Sequence, residues 1–180
     1  MPLAARQLIY DNGACLPGKG VDKALRRFET HLRRFYRENN FSNQGYGIFF
    51  DFSSYFDNIL HSKCFDFYDK LFDDEKIKEL LKSFIIPFGV PLDLRKFQMK
   101  SHRNTKNITG YRAPLRNNPE LYTGISLGLG SQVSQVTAVS YANDLDQYIK
   151  HVLRVKNYGR YMDDGYLFEK SKDKAKKILN

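Results

Sequence analysis

Apolar residues recur at helical spacing through Val21, Leu25, Phe28, Leu32 and Phe35, which predicts a helix over 22–38 with Asp22 as its N-cap. Its other face carries Arg26, Arg27, Arg33, Arg34 and Arg37, a stripe that reads either as a solvated surface or as a row of phosphate contacts. The polar loop from Asn39 to Gly45 leads into Ile48-Phe49-Phe50, a continuous apolar run expected to form a buried strand that delivers Asp51 at its carboxyl end. Over 62–84 apolar and charged positions alternate as in helices, with Asp73 a cap and Ile77, Leu80, Leu81 and Phe84 a core-packing stripe. Pro87, Gly89 and Pro91 then break the pattern. A glycine-rich loop from Gly124 to Gln132 opens a helix over 133–149, in which Val136, Val139, Ala142 and Leu145 can face a sheet. The runs 155–161 and 165–168 predict a hairpin with Asp163 and Asp164 at its tip, and a final helix is expected from about Ser171.

That hairpin brings in the chemistry. Adjacent carboxylates repel one another, so Asp163-Asp164 is either an ordinary acidic turn in water or a place where a hard divalent cation sits. Asp51, at the end of its own strand, can join them if the two strands are neighbours. A cluster of three carboxylates is what phosphoryl-transfer enzymes use to hold two divalent ions roughly 3.5–4 Å apart.

Asp51-Phe52-Ser53-Ser54-Tyr55-Phe56-Asp57-Asn58-Ile59-Leu60-His61 resembles motif A of bacterial reverse transcriptases, and Tyr161-Met162-Asp163-Asp164 is similar to their motif C. Leu129-Gly130-Ser131-Gln132-Val133-Ser134-Gln135 resembles motif B, and Cys15 to Leu25 is similar to a stretch between fingers and palm. The resemblance implies an α+β polymerase palm, an antiparallel sheet with helices packed on one face and a partial fingers segment. It divides the chain into a connecting segment with a basic helix at 1–44 and a palm at 45–180. It further implies transfer of dNTPs to the 3′ end of a DNA primer on an RNA template, with two Mg²⁺ ions for which Mn²⁺ can substitute. On this reading Asp51 and Asp163 are the principal metal ligands, Asp164 is a weaker one, and the backbone carbonyl of Phe52 completes a coordination sphere. Phe56 would lie under the sugar and exclude a 2′-OH, although without the resemblance it reads equally as a core aromatic. Leu129, Gly130 and Gln135 would pack against the templating pair, while Tyr161 and Met162 would floor the primer end. His61 and Asp57 read as structural.

Many reverse transcriptases carry Gln where this chain has Leu129 and Pro where it has Gln135. The form found here resembles diversity-generating retroelement enzymes and some uncharacterised or defence-associated bacterial groups. Loss of a side-chain amide beside the nascent pair would weaken base discrimination. The resemblance also leaves the upstream fingers strands and the thumb outside these residues, so the isolated fragment is expected to bind metal weakly and polymerise poorly.

Composition narrows the classes without choosing among them. The chain has 180 residues, 42% hydrophobic and 14% aromatic, enough for a core. Twenty-nine Lys and Arg against 20 Asp and Glu give a net charge of +9, which favours nucleic acid first and an anionic membrane surface second. No apolar run approaches the roughly 20 residues of a membrane span, and the N-terminus lacks a signal-peptide pattern, so a cytoplasmic location is expected. Cys15 and Cys64, the two cysteines, lack metal-ligand spacing and fit reduced thiols. Seven Lys and Arg with no acid occupy 94–119, suited to tracking a nucleic-acid backbone or to a merely soluble loop. The Gly18-Lys19-Gly20 loop lacks a full phosphate-loop spacing and reads better as a turn. An RNA-templated RNA polymerase palm and a non-catalytic basic nucleic-acid-binding domain stay open as alternatives.

Overall fold

A computed structural model describes residues 6–86, 124 and 126–179 of the chain. The basic segment 94–119 and the breakers Pro87, Gly89 and Pro91 lie outside the described residues. The chain divides into two compact units, one of residues 1–53 with 142–180 and the other of residues 54–141. Both helix and strand are present, the strands forming one antiparallel sheet, so the α+β expectation holds at that level.

The first unit is built on a three-stranded sheet in the order β1-β3-β2, with β1 Tyr46–Asp51, β2 Tyr158–Tyr161 and β3 Asp164–Glu169. β3 is central, and alternation gives it two apolar faces. Tyr166 and Phe168 point one way, Leu167 the other. On the Tyr166 side lies α1, Val21–Glu38, whose Phe28 packs against Phe49, Tyr166 and Phe168 with ring centroids at 6.1, 4.9 and 5.6 Å. On the Leu167 side Tyr158, Leu167, Ile48 and Phe50 pack with Ile9, Ile149, Val155 and Ile178. Ile149 belongs to a π-helical turn, Tyr148–Val152, that follows a short helix, α6, Asn143–Gln147, and Ile178 to α7, Lys172–Leu179. Helices therefore cover both faces of this sheet rather than one, because a central strand apolar on both sides has to be buried on both.

Three expectations change within this unit. α1 is capped by Gly20, and Asp22 sits in its first turn instead. The residues of α1 that turn inward are Ala24, Phe28, His31 and Phe35, leaving Val21, Leu25 and Leu32 exposed. Two overlapping stripes share Phe28 and Phe35, and the aromatic cluster on the sheet selects the one with the small Ala24. β1 is an edge strand, so its apolar run is only half covered, with Phe49 67% exposed.

The second unit is helical. α2 Tyr55–Asn58, α3 His61–Leu71, α4 Glu75–Ile85 and α5 Gln132–Tyr141 make up its regular structure among the described residues. Asp74, not Asp73, caps α4, accepting hydrogen bonds from the amides of Lys76 (2.8 Å) and Ile77 (3.3 Å). Ile85 is fully buried and Leu81 half-buried, whereas Ile77, Leu80 and Phe84 are exposed, so most of the predicted core stripe is turned outward. The long helix predicted over 133–149 is interrupted at Ala142, between α5 and α6.

Candidate functional site

The carboxylates meet through strand register. β1 and β3 pair so that Asp51 lies directly opposite Asp164, and β2 and β3 pair so that Tyr161 lies opposite Asp164 as well. Directly opposed residues of an antiparallel pair share a face, with Cβ atoms about 4.5–5.5 Å apart. Asp51 and Asp164 therefore project together from the end of the sheet, and both are exposed. The hairpin turn consists of Met162 and Asp163, so Asp163 occupies the turn while Asp164 is already the first residue of β3. Met162 takes a left-handed conformation (φ 55°) at the first turn position, as a tight hairpin requires, and a non-glycine residue there stores about 1–3 kcal/mol of strain. The carbonyl of Asp163 accepts a hydrogen bond from the Phe52 amide at 3.3 Å, which ties the turn to the chain just beyond Asp51.

What holds that strained turn lies beneath it. Arg160 stands on the core-facing side of β2 and is wholly buried with Asp146 of α6. Its guanidinium forks onto the carboxylate, Nε to Oδ1 at 2.9 Å and Nη2 to Oδ2 at 2.7 Å, while Tyr158 donates its hydroxyl to Oδ1 at 2.5 Å. The remaining nitrogen, Nη1, donates to the carbonyl of Met162 at 2.5 Å. One buried ion pair thus connects a helix to the turn that carries Asp163. Burial, reinforced by the Asp146 charge and hydrogen bond, pushes the Tyr158 hydroxyl far above its ordinary pKa, so it acts only as a donor here. Sequence reading passed over this pair. An arginine in phase with the apolar side of a strand was the available signal, since such a residue demands a buried acid.

A cavity of ≈ 420 Å³ lies between α1 and the sheet, lined by Leu25, Phe28, Phe49 and Tyr166 together with Asp51 and Asp164. Asp11 and Arg27, which also line it, belong to a second polar network the sequence did not announce. Asp11 receives Arg27 and Lys150, each at 2.7 Å, and Arg27 also meets His31 Nε2 at 3.1 Å. Arginine can only donate, so Nε2 accepts and the proton sits on Nδ1, which faces the Tyr166 hydroxyl at 3.0 Å. Burial, helped by Lys150 and Arg27 and opposed by Asp11, pushes the His31 pKa down to about 4. Burial raises the Asp11 carboxyl, but Lys150 and Arg27 outweigh it and hold it below its usual range.

Carboxylate oxygens are the donors a hard divalent cation takes, and Mg²⁺ characteristically uses one or two carboxylates and leaves its other positions to water and substrate phosphates. Asp51, Asp163 and Asp164 fit that chemistry. Among the described residues no group of three or more His, Cys, Asp or Glu side chains is placed to hold a metal ion, Asp51, Asp163 and Asp164 included.

The other predicted site residues fall in the helical unit. The carbonyl of Phe56 accepts from the Leu127 amide at 2.8 Å, and that of Ile59 accepts from Ser126 at 2.9 Å, so the strand-to-helix segment and the glycine loop are stitched together. His61 is buried, its Nε2 2.6 Å from the Ser126 carbonyl, a structural role. Asp57 is exposed in α2. Leu129 is 74% exposed, and Gly130 (φ 94°) supplies the left-handed residue that starts the approach to α5, on which Gln135 is exposed. Among the described residues no helix is long and apolar enough to cross a membrane. No protein-family model matches the chain, and no curated protein matches it well enough to identify a relative.

Proposed function

We propose that this chain carries the catalytic centre of a template-directed polymerase of the reverse transcriptase kind, adding dNTPs to a DNA primer on an RNA template. The observation that supports the reading is the pairing of Asp51 with Asp164 across the sheet, with Asp163 on the adjoining turn. Asp51 and Asp163 would hold the divalent ions, with Asp164 and the Phe52 carbonyl as further oxygen donors. Bound there, Mg²⁺ or Mn²⁺ would stabilise the charge on the attacking and leaving oxygens of an in-line phosphoryl displacement. The chain's own part is positional. Arg160 holds the turn, Tyr161 flanks the carboxylates, and Met162 is the strained residue that presents Asp163. Phe56 keeps the role the resemblance gives it, rejection of a 2′-OH, and Leu129, Gly130 and Gln135 keep theirs beside the templating pair.

Thermal melting tests the carboxylates without requiring turnover. Two opposed negative charges destabilise a strand pair by about 0.2–1 kcal/mol, so without metal Asp51→Asn melts at or slightly above the wild-type temperature. A ligand that binds only the folded state stabilises it by RT ln(1 + [L]/Kd), so Mg²⁺ or Mn²⁺ raises the wild-type melting temperature but not that of Asp51→Asn or Asp163→Asn. Equal metal-induced shifts in all three proteins would refute the reading. Primer extension on RNA, with dNTPs or rNTPs and beside Asp163→Asn, then separates reverse transcriptase from RNA polymerase and from simple binding.

A further inference from the structure

The loop before α1 and the first turns of that helix enclose a second cavity, of ≈ 590 Å³, whose lining is strongly basic. Lys19, Lys23, Arg26 and Arg27 contribute to it, against the single carboxylate of Asp22. In the sequence the glycine loop and the arginine stripe are separate features. The fold brings Lys19 of the loop and three cations of the helix to one concavity. Three of the four cations also crowd one aromatic ring. Lys19, Lys23 and Arg27 lie 4.7, 5.2 and 5.0 Å from the Tyr10 ring centroid, and Tyr10 is 66% exposed. Arg27 is neutralised by Asp11, but among the described residues no acid pairs with Lys19, Lys23 or Arg26. Burial lowers the Lys19 pKa, Lys23 and Arg27 add to that effect, and Asp11 opposes it.

Cations that line a concave surface and crowd an exposed aromatic ring beside it form the arrangement that tracks a single nucleic-acid strand: phosphates meet the cations and a base stacks on the ring. Arg27 also lines the cavity that holds Asp51 and Asp164, so the two concavities adjoin within one unit. We propose that the Lys19, Lys23 and Arg26 cavity binds the phosphodiester backbone of a single-stranded nucleic acid, with Tyr10 as its stacking surface. This site does not need the carboxylates to be catalytic.

Fluorescence anisotropy with labelled oligo-dT and oligo-U of about 12 nucleotides, in chelator and on an Asp51→Asn background, isolates it from the polymerase reading. Each phosphate contact on a single strand contributes about 0.7 to the slope of log affinity against log salt. Lys23→Gln with Arg26→Gln is therefore expected to weaken binding and lower that slope by roughly 1.4. Lys63→Gln with Lys70→Gln removes the same charge from exposed positions on α3 and should leave the slope nearly unchanged. Equal slope losses in the two double variants would overturn the proposal, since net charge alone would then explain binding. On the protein with its cavity intact, bound oligonucleotide should protect Lys19 and Lys23 from acetylation more than Lys63 and Lys70, and equal protection counts against the site. Equal affinity for oligo-dT and oligo-U is expected of backbone recognition. A loss of binding confined to oligo-U would point to 2′-OH readout and would also overturn it.

Discussion

The buried Arg160–Asp146 pair offers the sharpest test of how the fold presents its acidic turn. Asp146→Asn retains the shape of the side chain but removes the carboxylate charge that faces the wholly buried Arg160 guanidinium. Breaking such a pair from one side costs about 3–5 kcal/mol, a large share of the roughly 5–15 kcal/mol that stabilises a typical domain. At about 2–4 °C per kcal/mol for a chain of this size, the melting temperature should fall by roughly 6–20 °C. Replacing the three side chains by apolar residues, Asp146→Leu, Arg160→Met and Tyr158→Phe together, removes the buried charges and should recover most of that loss. Urea unfolding of the single and combined variants gives the coupling energy directly. The apolar variant also lacks the Nη1 hydrogen bond to the Met162 carbonyl, so its stability should return while the Mg²⁺-dependent melting shift expected under the proposed function does not. Two results would refute this reasoning. One is a cost below about 1 kcal/mol for Asp146→Asn, and the other is strictly additive single losses.

Three further outcomes follow from other parts of the structure. His31 is neutral in the folded state with a pKa of about 4, against 6.5 when exposed, so the unfolded chain takes up its proton first as pH falls. Stability should therefore drop by up to about 3 kcal/mol between pH 6.5 and pH 4, and urea unfolding of His31→Gln should lack that portion of the slope. Asp74→Ala should cost about 1 kcal/mol by loss of the α4 cap, while Asp73→Ala, its neighbour without those bonds, should be nearly neutral by the same assay. Burial pushes the Cys64 thiol up to about 12, so iodoacetamide at mildly alkaline pH should label Cys64 only in denaturant, with half-buried Cys15 the first to react in the native protein.

The elements themselves were legible in the sequence because they rest on local rules. Period located α1 and the apolar strand ending at Asp51, while the hairpin was placed one residue late, with Asp163 and Asp164 at its tip where the structure has Met162 and Asp163. The meeting of Asp51 with Asp164 was available only as a hope from motif spacing, since register between strands more than a hundred residues apart is a long-range property. Which stripe of α1 turns inward was not decidable along the chain. Leu25 and Ala24 are both compatible with helical spacing, and the rings of Phe49, Tyr166 and Phe168 chose Ala24. The same holds for the choice of Asp74 over Asp73, which depends on where the first amides of α4 point.

By itself, then, the order of residues determined most of the helices and strands, though not the break at Ala142, together with the positive charge and the positions of three candidate carboxylates, because those follow from neighbours within a turn or two. Tertiary structure alone decided that Arg160 and Asp146 are one buried pair, that Asp11 gathers Arg27 and Lys150, and that Lys19, Lys23 and Arg27 crowd the Tyr10 ring. Each of these is a charge whose energy depends on what surrounds it, and a burial environment is assembled from distant segments that no local pattern encodes.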